Sequence, residues 1–186
     1  MRPLIITQNI TVDGSVEMLD DWFDPLAQDD DMLAINQRDS ALSDMLVLGR
    51  QTFEDFRGFW PEQVDDRTGV TDELNSLDKY VVSRTMTDPA WQGSTVLAGD
   101  PVAEVRELLS RPGDAEVVVT GSITLCHALI AAGIVVGYRL WTYPHVQGRG
   151  RRLFPDGHRQ ALRLEEQRSF ASGVTYTDWT VREDSP

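Results

Sequence analysis

The stretch Glu116-Val117-Val118-Val119-Thr120-Gly121-Ser122-Ile123-Thr124 decides how this chain is read. Its consecutive valines make a short β-branched run that suits a strand buried on both faces. Gly121 breaks the run. Ile123 to Ala132 then has helical length and composition, with Gly133 placed as a C-terminal cap. A buried strand passing through glycine into a helix is the repeating unit of an α/β domain. The unit recurs upstream, where Met45 to Leu48 forms a short apolar run, Gly49 stops it and Arg50 to Phe56 reads as a short helix.

Outward from these two units, Leu4 to Val12 reads as a first strand entering a turn at Asp13-Gly14, and residues 20–31 are acidic and irregular. Met32 to Ser43 reads as a helix, and residues 57–76, with Gly58, Pro61 and Gly69, read as a long loop. Lys79 to Ser83 and Ser94 to Leu97 are strands, and Val102 to Ser110 is a helix stopped by Pro112-Gly113. Val135 to Tyr143 is a further strand, followed by a Gly/Arg loop from Pro144 to Arg152. Arg159 to Ser169 and Val174 to Arg182 pair around Ser172-Gly173 as a hairpin. Alternation followed by successive strands predicts a mixed sheet with antiparallel strands at its end.

The 186 residues carry 30 acidic and 17 basic side chains, a formal net charge of −13. That balance argues against nonspecific nucleic-acid binding and against attraction to anionic membranes. It leaves room for a small anionic ligand held by local arginines. The N-terminus MRPLIITQNITV lacks the apolar core of a signal peptide, and no apolar run approaches the ~20 residues of a membrane span. A cytoplasmic protein is expected. Cys126 is the single cysteine, so no internal disulfide forms, and its neighbour His127 has no second ligand at metal-binding spacing. Nothing divides the chain, and residues 1–186 are expected to form one domain.

Three strand ends carry candidate chemistry. At Gly49-Arg50-Gln51-Thr52 a helix begins, so unpaired N–H groups and the helix dipole favour an anion, with Arg50 adding a planar donor fork. A tight turn with a solvated arginine is the plainer alternative. Ser83-Arg84 places a hydroxyl and a guanidinium suited to a phosphate monoester after a strand, or else forms a polar loop. Gly121 lets the backbone approach an anion closely, while Ser122 and Thr124 suit either phosphate or helix capping. The chain has neither GxGxxG nor a Walker loop.

Taken together, Thr11-Val12-Asp13-Gly14, Leu48-Gly49-Arg50-Gln51-Thr52-Phe53-Glu54, Tyr80-Val81-Val82-Ser83-Arg84-Thr85, Val119-Thr120-Gly121-Ser122 and Tyr143-Pro144-His145-Val146-Gln147-Gly148-Arg149-Gly150 resemble the dihydrofolate-reductase-like superfamily. Their order matches in particular the branch that contains the reductase domain of bacterial riboflavin biosynthesis proteins. The resemblance implies a three-layer α/β/α fold around a mixed, mostly parallel sheet of about eight strands. It implies NADPH across the strand ends, with Gly49, Arg50 and Thr52 flanking the phosphates and Ser83 and Arg84 facing the adenosine 2′-phosphate. Gly121, Ser122, Ile123 and Thr124 would contact the pyrophosphate. A homodimer made through the late strands and a small-molecule substrate are also implied. The family often has paired glycines where this chain has Gly121-Ser122, and an acidic pair where it has Val136-Gly137.

The implied activity is hydride transfer from NADPH to a C=N or C=O group of a small heterocyclic or carbonyl substrate, either riboflavin-pathway or folate reduction. The candidate proton donors are Asp13 and the pair Asp20-Asp21 beside Trp22, although Asp-Gly is also an ordinary turn and the acidic stretch an ordinary solvated face. Trp22, Phe23, Phe56, Phe59 and Trp60 would border the cleft, with Trp22 and Trp60 the better candidates for stacking on a flat substrate. His145 reads as a surface residue. The arginines of the Gln147 to Arg152 loop suit a phosphorylated substrate or plain solvation. No H-x-E with a later P-C-x-x-C is present, so the chain holds no zinc deaminase. The competing reading is a non-catalytic dimeric ligand-binding or scaffold protein on the same fold.

Overall fold

The computed structural model describes residues 1–182. Eight strands form one sheet: β1 (Leu4–Thr11), β2 (Ser43–Gly49), β3 (Asp78–Val82), β4 (Ser94–Leu97), β5 (Glu116–Thr120), β6 (Gly137–Tyr143), β7 (Leu162–Ser169) and β8 (Thr175–Val181). Their spatial order is β4-β3-β2-β5-β1-β6-β8-β7. The first six run parallel, β8 joins β6 antiparallel, and β7 pairs antiparallel with β8 at the sheet edge. This is the three-layer, mostly parallel α/β/α architecture that the family resemblance implies, with the antiparallel end that the order of elements predicts.

Five helices cover the sheet: α1 (Asp30–Ser40), α2 (Arg50–Phe59), α3 (Val70–Ser76), α4 (Pro101–Ser110) and α5 (Ile123–Ala131). On one face Leu4, Ile6, Val47, Val117 and Val119 are fully buried against α4 and α5. Their alternation along each strand sends the intervening residues to the other face. There, Leu46, Leu48 and Val81 pack against Phe53 of α2 and Leu74 of α3, while Met32 of α1 covers Trp141 and Tyr176.

These two groups of helices leave the middle of that face thinly covered. Thr7 and Asn9 of β1 and Thr120 of β5 are only half-buried there, although both strands are flanked on each side. Thr7 stands in register with Thr120 on one side and Arg139 on the other. Arg139 is buried, with both guanidinium nitrogens on Glu116 at 2.6 and 2.8 Å and with Asp178 and Asp39 at 3.5 and 3.7 Å. The cluster ties α1 to the sheet, and losing the arginine would leave three partly buried carboxylates facing one another.

The segment read as a loop over residues 57–76 is largely helical. α2 continues to Phe59, a 3₁₀ turn follows at Trp60–Glu62, and α3 occupies Val70–Ser76. Two tertiary features account for this. The Asp66 carboxylate accepts N–H bonds from Thr68 and Thr71, organising the start of α3, and Lys79, buried under Trp91, donates Nζ to the carbonyls of Leu74 and Leu77 at its end. Helix α1 begins two residues earlier than its apolar pattern suggests because Asp29 caps it, accepting from Met32 N at 2.9 Å. Among the described residues no helix is long and apolar enough to cross a membrane.

Candidate functional site

The carboxyl ends of the parallel strands share one edge of the sheet, the usual position for ligands in α/β folds. At the β2–β5 part of this edge the sequence-predicted residues Gly49, Thr52, Gly121 and Ser122 converge. Ser122 N–H donates to Thr52 Oγ1 at 2.8 Å, Gly49 N–H donates to Ser122 Oγ, and Gln8 Nε2 braces the Gly121 carbonyl at 3.1 Å from below. Gly121 has φ +60°, and a Cβ there would collide with Thr52, so only glycine fits both the backbone and the space. Cys126 lies fully buried behind it, its Sγ donating to the Gly121 carbonyl at 3.1 Å.

Neither Gly49 nor Ser122 caps its helix with a side chain. The first-turn N–H groups of α2 and α5 are therefore free to meet an anion, with both helix dipoles adding positive potential. Ser122 stands where a second glycine was expected and takes a left-handed backbone at φ 57°. Its hydroxymethyl group is turned down between Gly49 and Thr52, away from the open edge. Ile123 is buried in the core, so it brings only its N–H to the edge, whereas Thr124 is exposed in the first turn of α5.

Two other predicted contacts lie further out. Arg50 is exposed and only 3.9 Å from Glu54, a loose i,i+4 pair. Ser83 is buried at the end of β3, one strand beyond Gly49. Its Oγ accepts from Thr85 and Met86 N–H at 3.3 and 3.0 Å and so shapes the turn that presents Arg84 to solvent.

At the β1–β6 part of the edge the structure corrects two expectations. Asp13 is unsuited to donate a proton. Its carboxylate accepts from Thr11 Oγ1 at 2.6 Å, Gln147 N at 3.1 Å and Gly148 N at 2.8 Å. Those bonds favour the charged form and hold the pKa down to about 2, from an ordinary 3.8. Trp60 faces the core rather than the cleft: it is 7% exposed and packs with Leu46, Leu48 and Phe53. Of the polar residues that follow it, Asp66 and Thr68 organise the start of α3 rather than lining a cleft.

Trp22 does reach this edge. Its indole donates to Gln147 Oε1 at 2.9 Å, and its ring lies 5.2 Å from Tyr143 and 6.0 Å from Phe23. His145 is parallel to it within 15° at 6.4 Å; its Nε2 is out of solvent, without a hydrogen bond, and 4.0 Å from Asp20. Asp21 is exposed on the strap beside Trp22. The loop arginines are engaged: Arg149 pairs with Asp20 at 2.6 Å and Arg151 with Glu17 at 2.7 Å, fastening the strap of residues 15–22 to the loop after β6.

Sequence reasoning passed over Gln147 and the floor residues Thr7, Asn9 and Thr120. A signal for the floor exists in β1, where Thr7-Gln8-Asn9 interrupts an otherwise apolar central strand. A buried strand tolerates such a run only where its polar groups find partners or water. Gln8 finds Gly121, while Thr7 and Asn9 face the thinly covered strip.

Comparison with known proteins agrees with this architecture. The chain is 30% identical over 180 residues to the uncharacterized protein YyaP of Bacillus subtilis, covering 93% of this chain and 92% of that one. A riboflavin-biosynthesis-type protein from Shewanella sp. PV-4 superposes with a TM-score of 0.68 at 17% identity, covering 97% of this chain and 99% of that one. A pyrimidine reductase-like protein from Corynebacterium diphtheriae gives 0.72 at 14% identity, with 98% and 93% covered. The sequence profile of the RibD C-terminal domain matches residues 2–176. With that match spanning nearly all of the chain, the protein belongs to the RibD C-terminal domain family.

Proposed function

We propose that this protein is an NADPH-dependent reductase of a small, flat heterocyclic or carbonyl substrate. The supporting observation is the convergence of Gly49, Thr52, Gly121 and Ser122 on two adjacent helix N-termini. Such a cradle suits a pyrophosphate: it offers backbone donors, a helix dipole and a glycine where any side chain would collide. Arg84, exposed beside the end of β3, would hold the 2′-phosphate, and the Ser83 hydroxyl would order the turn that carries it.

NADPH supplies the hydride in this reading. The chain orients the two rings: Trp22 offers a face for the substrate, and Thr7, Asn9 and Thr120 offer neutral donors and acceptors from the floor. With Asp13 held ionised, the proton reaches the product from solvent entering beside the strap. Relatives named for riboflavin biosynthesis and pyrimidine reduction favour a pyrimidine-like ring over a pterin. A homodimer joined along the exposed β7 edge completes the proposal, and sedimentation tests it.

The central test is a cofactor-fluorescence titration with NADPH and NADH. The expected result is tighter NADPH binding, with the preference falling about ten-fold in Arg84→Ala as one charge-assisted phosphate contact is lost. Equal affinity for the two cofactors in the unaltered protein would remove the reading of Arg84. The absence of a side-chain proton donor at Asp13 favours one competitor, a ligand-binding protein without catalysis. Binding of NADPH with no oxidation across a panel of pyrimidine, pterin and flavin substrates is its signature.

A further inference from the structure

Gln147 is 8% exposed, and the five loop residues that follow it are glycines and solvated arginines. Its amide is fully committed. Oε1 accepts from Trp22 Nε1 at 2.9 Å and from Leu19 N at 3.3 Å, while Nε2 donates to Ser15 Oγ at 2.7 Å and to the Arg149 carbonyl at 3.1 Å. A buried amide with all four positions filled is rigid, because rotating it breaks every bond at once. Its backbone is fixed too, since its N–H is held by Asp13. Gly150 keeps the space clear: at φ +92°, a Cβ there would lie 2.6 Å from Ser15 Oγ and 2.9 Å from Gln147 Nε2.

The start of the strap is also held by main chain, with Val16 N–H donating to the Arg151 carbonyl at 3.1 Å beside a Ser15–Arg152 bridge, but the ion pairs across it are weaker in kind. Arg149–Asp20 and Arg151–Glu17 have guanidinium groups that are 62% and 58% exposed, and solvated pairs fix little geometry. Phe23 and Tyr143 meet Trp22 at tilted angles of 57° and 60°, and His145 lies parallel to it within 15° but at 6.4 Å, which leaves the bond to Gln147 as the directional contact on the indole. Resting on the reading of Trp22 as the substrate's stacking partner, we propose that Gln147 is a positioning residue that sets the plane of the Trp22 indole for a flat heterocycle, and so governs substrate affinity while leaving cofactor affinity alone.

The test uses the whole protein, with lumiflavin as a flat neutral probe and NADPH as the control ligand. The Trp22 indole N–H is assigned in a ¹H–¹⁵N spectrum by its disappearance in Trp22→Phe. In Gln147→Met, which keeps length and loses the hydrogen bonds, indole exchange should quicken at least about ten-fold. Lumiflavin affinity should fall about five-fold and NADPH affinity should stay within about two-fold. Trp22→Phe, which keeps a ring and discards the N–H, should give a similar lumiflavin loss, and the double variant should lose little more. Unchanged indole exchange, additive losses, or parallel loss of both ligands would each overturn the proposal. Failure of lumiflavin to bind the unaltered protein, with NADPH bound, overturns it and spares the cofactor reading. Gln147-dependent lumiflavin binding without NADPH binding sinks the cofactor reading alone.

Discussion

The two parts of the strand-end edge are built by opposite means. Where β2 and β5 end, the site is main chain, glycine and hydroxyl: Gly49, Thr52 and Ser122 bond to one another, Gly121 lies against Thr52, and none carries a charge. Where β1 and β6 end, order comes from long side chains and ions: Asp13 clasps the loop, Gln147 holds Trp22, and two arginines pair across the strap. The contrast teaches how binding work is divided. Under the proposed function a constant anion would be met by dipoles already oriented in the backbone, which need no titration and, at Gly121, leave no room for substitution. A variable ring would be met by side chains, which can change one at a time without disturbing the sheet.

The most severe way to break the first part is Gly121→Val. It forces a β-branched residue to φ +60° and drives Cβ into Thr52. The expected outcome is a loss of about 2–3 kcal/mol in urea unfolding and NADPH affinity reduced at least about 100-fold. If binding survived that change, the cradle would be no cradle.

A milder break acts on the second part through pH. The folded-state pKa of Asp13 is lowered to about 2 from 3.8, so its contribution to stability is present above about pH 4 and disappears as pH falls toward 2. Asp13→Asn should flatten the urea midpoint across that window, and its neutral-pH NADPH affinity should match that of the unaltered chain. A midpoint profile identical to the unaltered protein's would show that the clasp adds no pH-dependent stability.

The smallest effect sharpens the contrast. Arg149→Ala and Arg151→Ala should each shift stability by no more than about 0.5 kcal/mol, with the difference fading in high salt, because both pairs are solvated. A salt-insensitive loss of several kcal/mol would place these ions with the buried Arg139 cluster.

The backbone-built part was the legible one. Gly49 and Gly121 each follow an apolar strand and precede a helix, and sequence pattern carries that information directly. The helical content of residues 57–76 was hidden because α3 has seven residues, too few to show a period, and depends on Asp66 and Lys79 at its two ends. Trp22 and Trp60 were equally plausible cleft residues. Only packing separates them, since one meets Gln147 and the other meets Phe53 and Leu48. Asp13 sat at a position that suits an acid, yet its protonation state is set first by the Thr11 hydroxyl and then by N–H groups more than 130 residues away in the chain. Gln147 gave no local signal, because a glutamine between valine and glycine becomes informative only when its four partners are known.

The thiol behind Gly121 makes the cradle observable without any label added by design. Cys126 is fully buried and its pKa is pushed up to about 12 by desolvation, so at neutral pH it is neither reachable nor nucleophilic. It is also the chain's one sulfhydryl. An alkylating reagent mixed with the native protein must wait until α5 lifts from β5. The rate at which mass is gained then clocks how often this corner opens, and a ligand bound there should slow that clock in proportion to its occupancy.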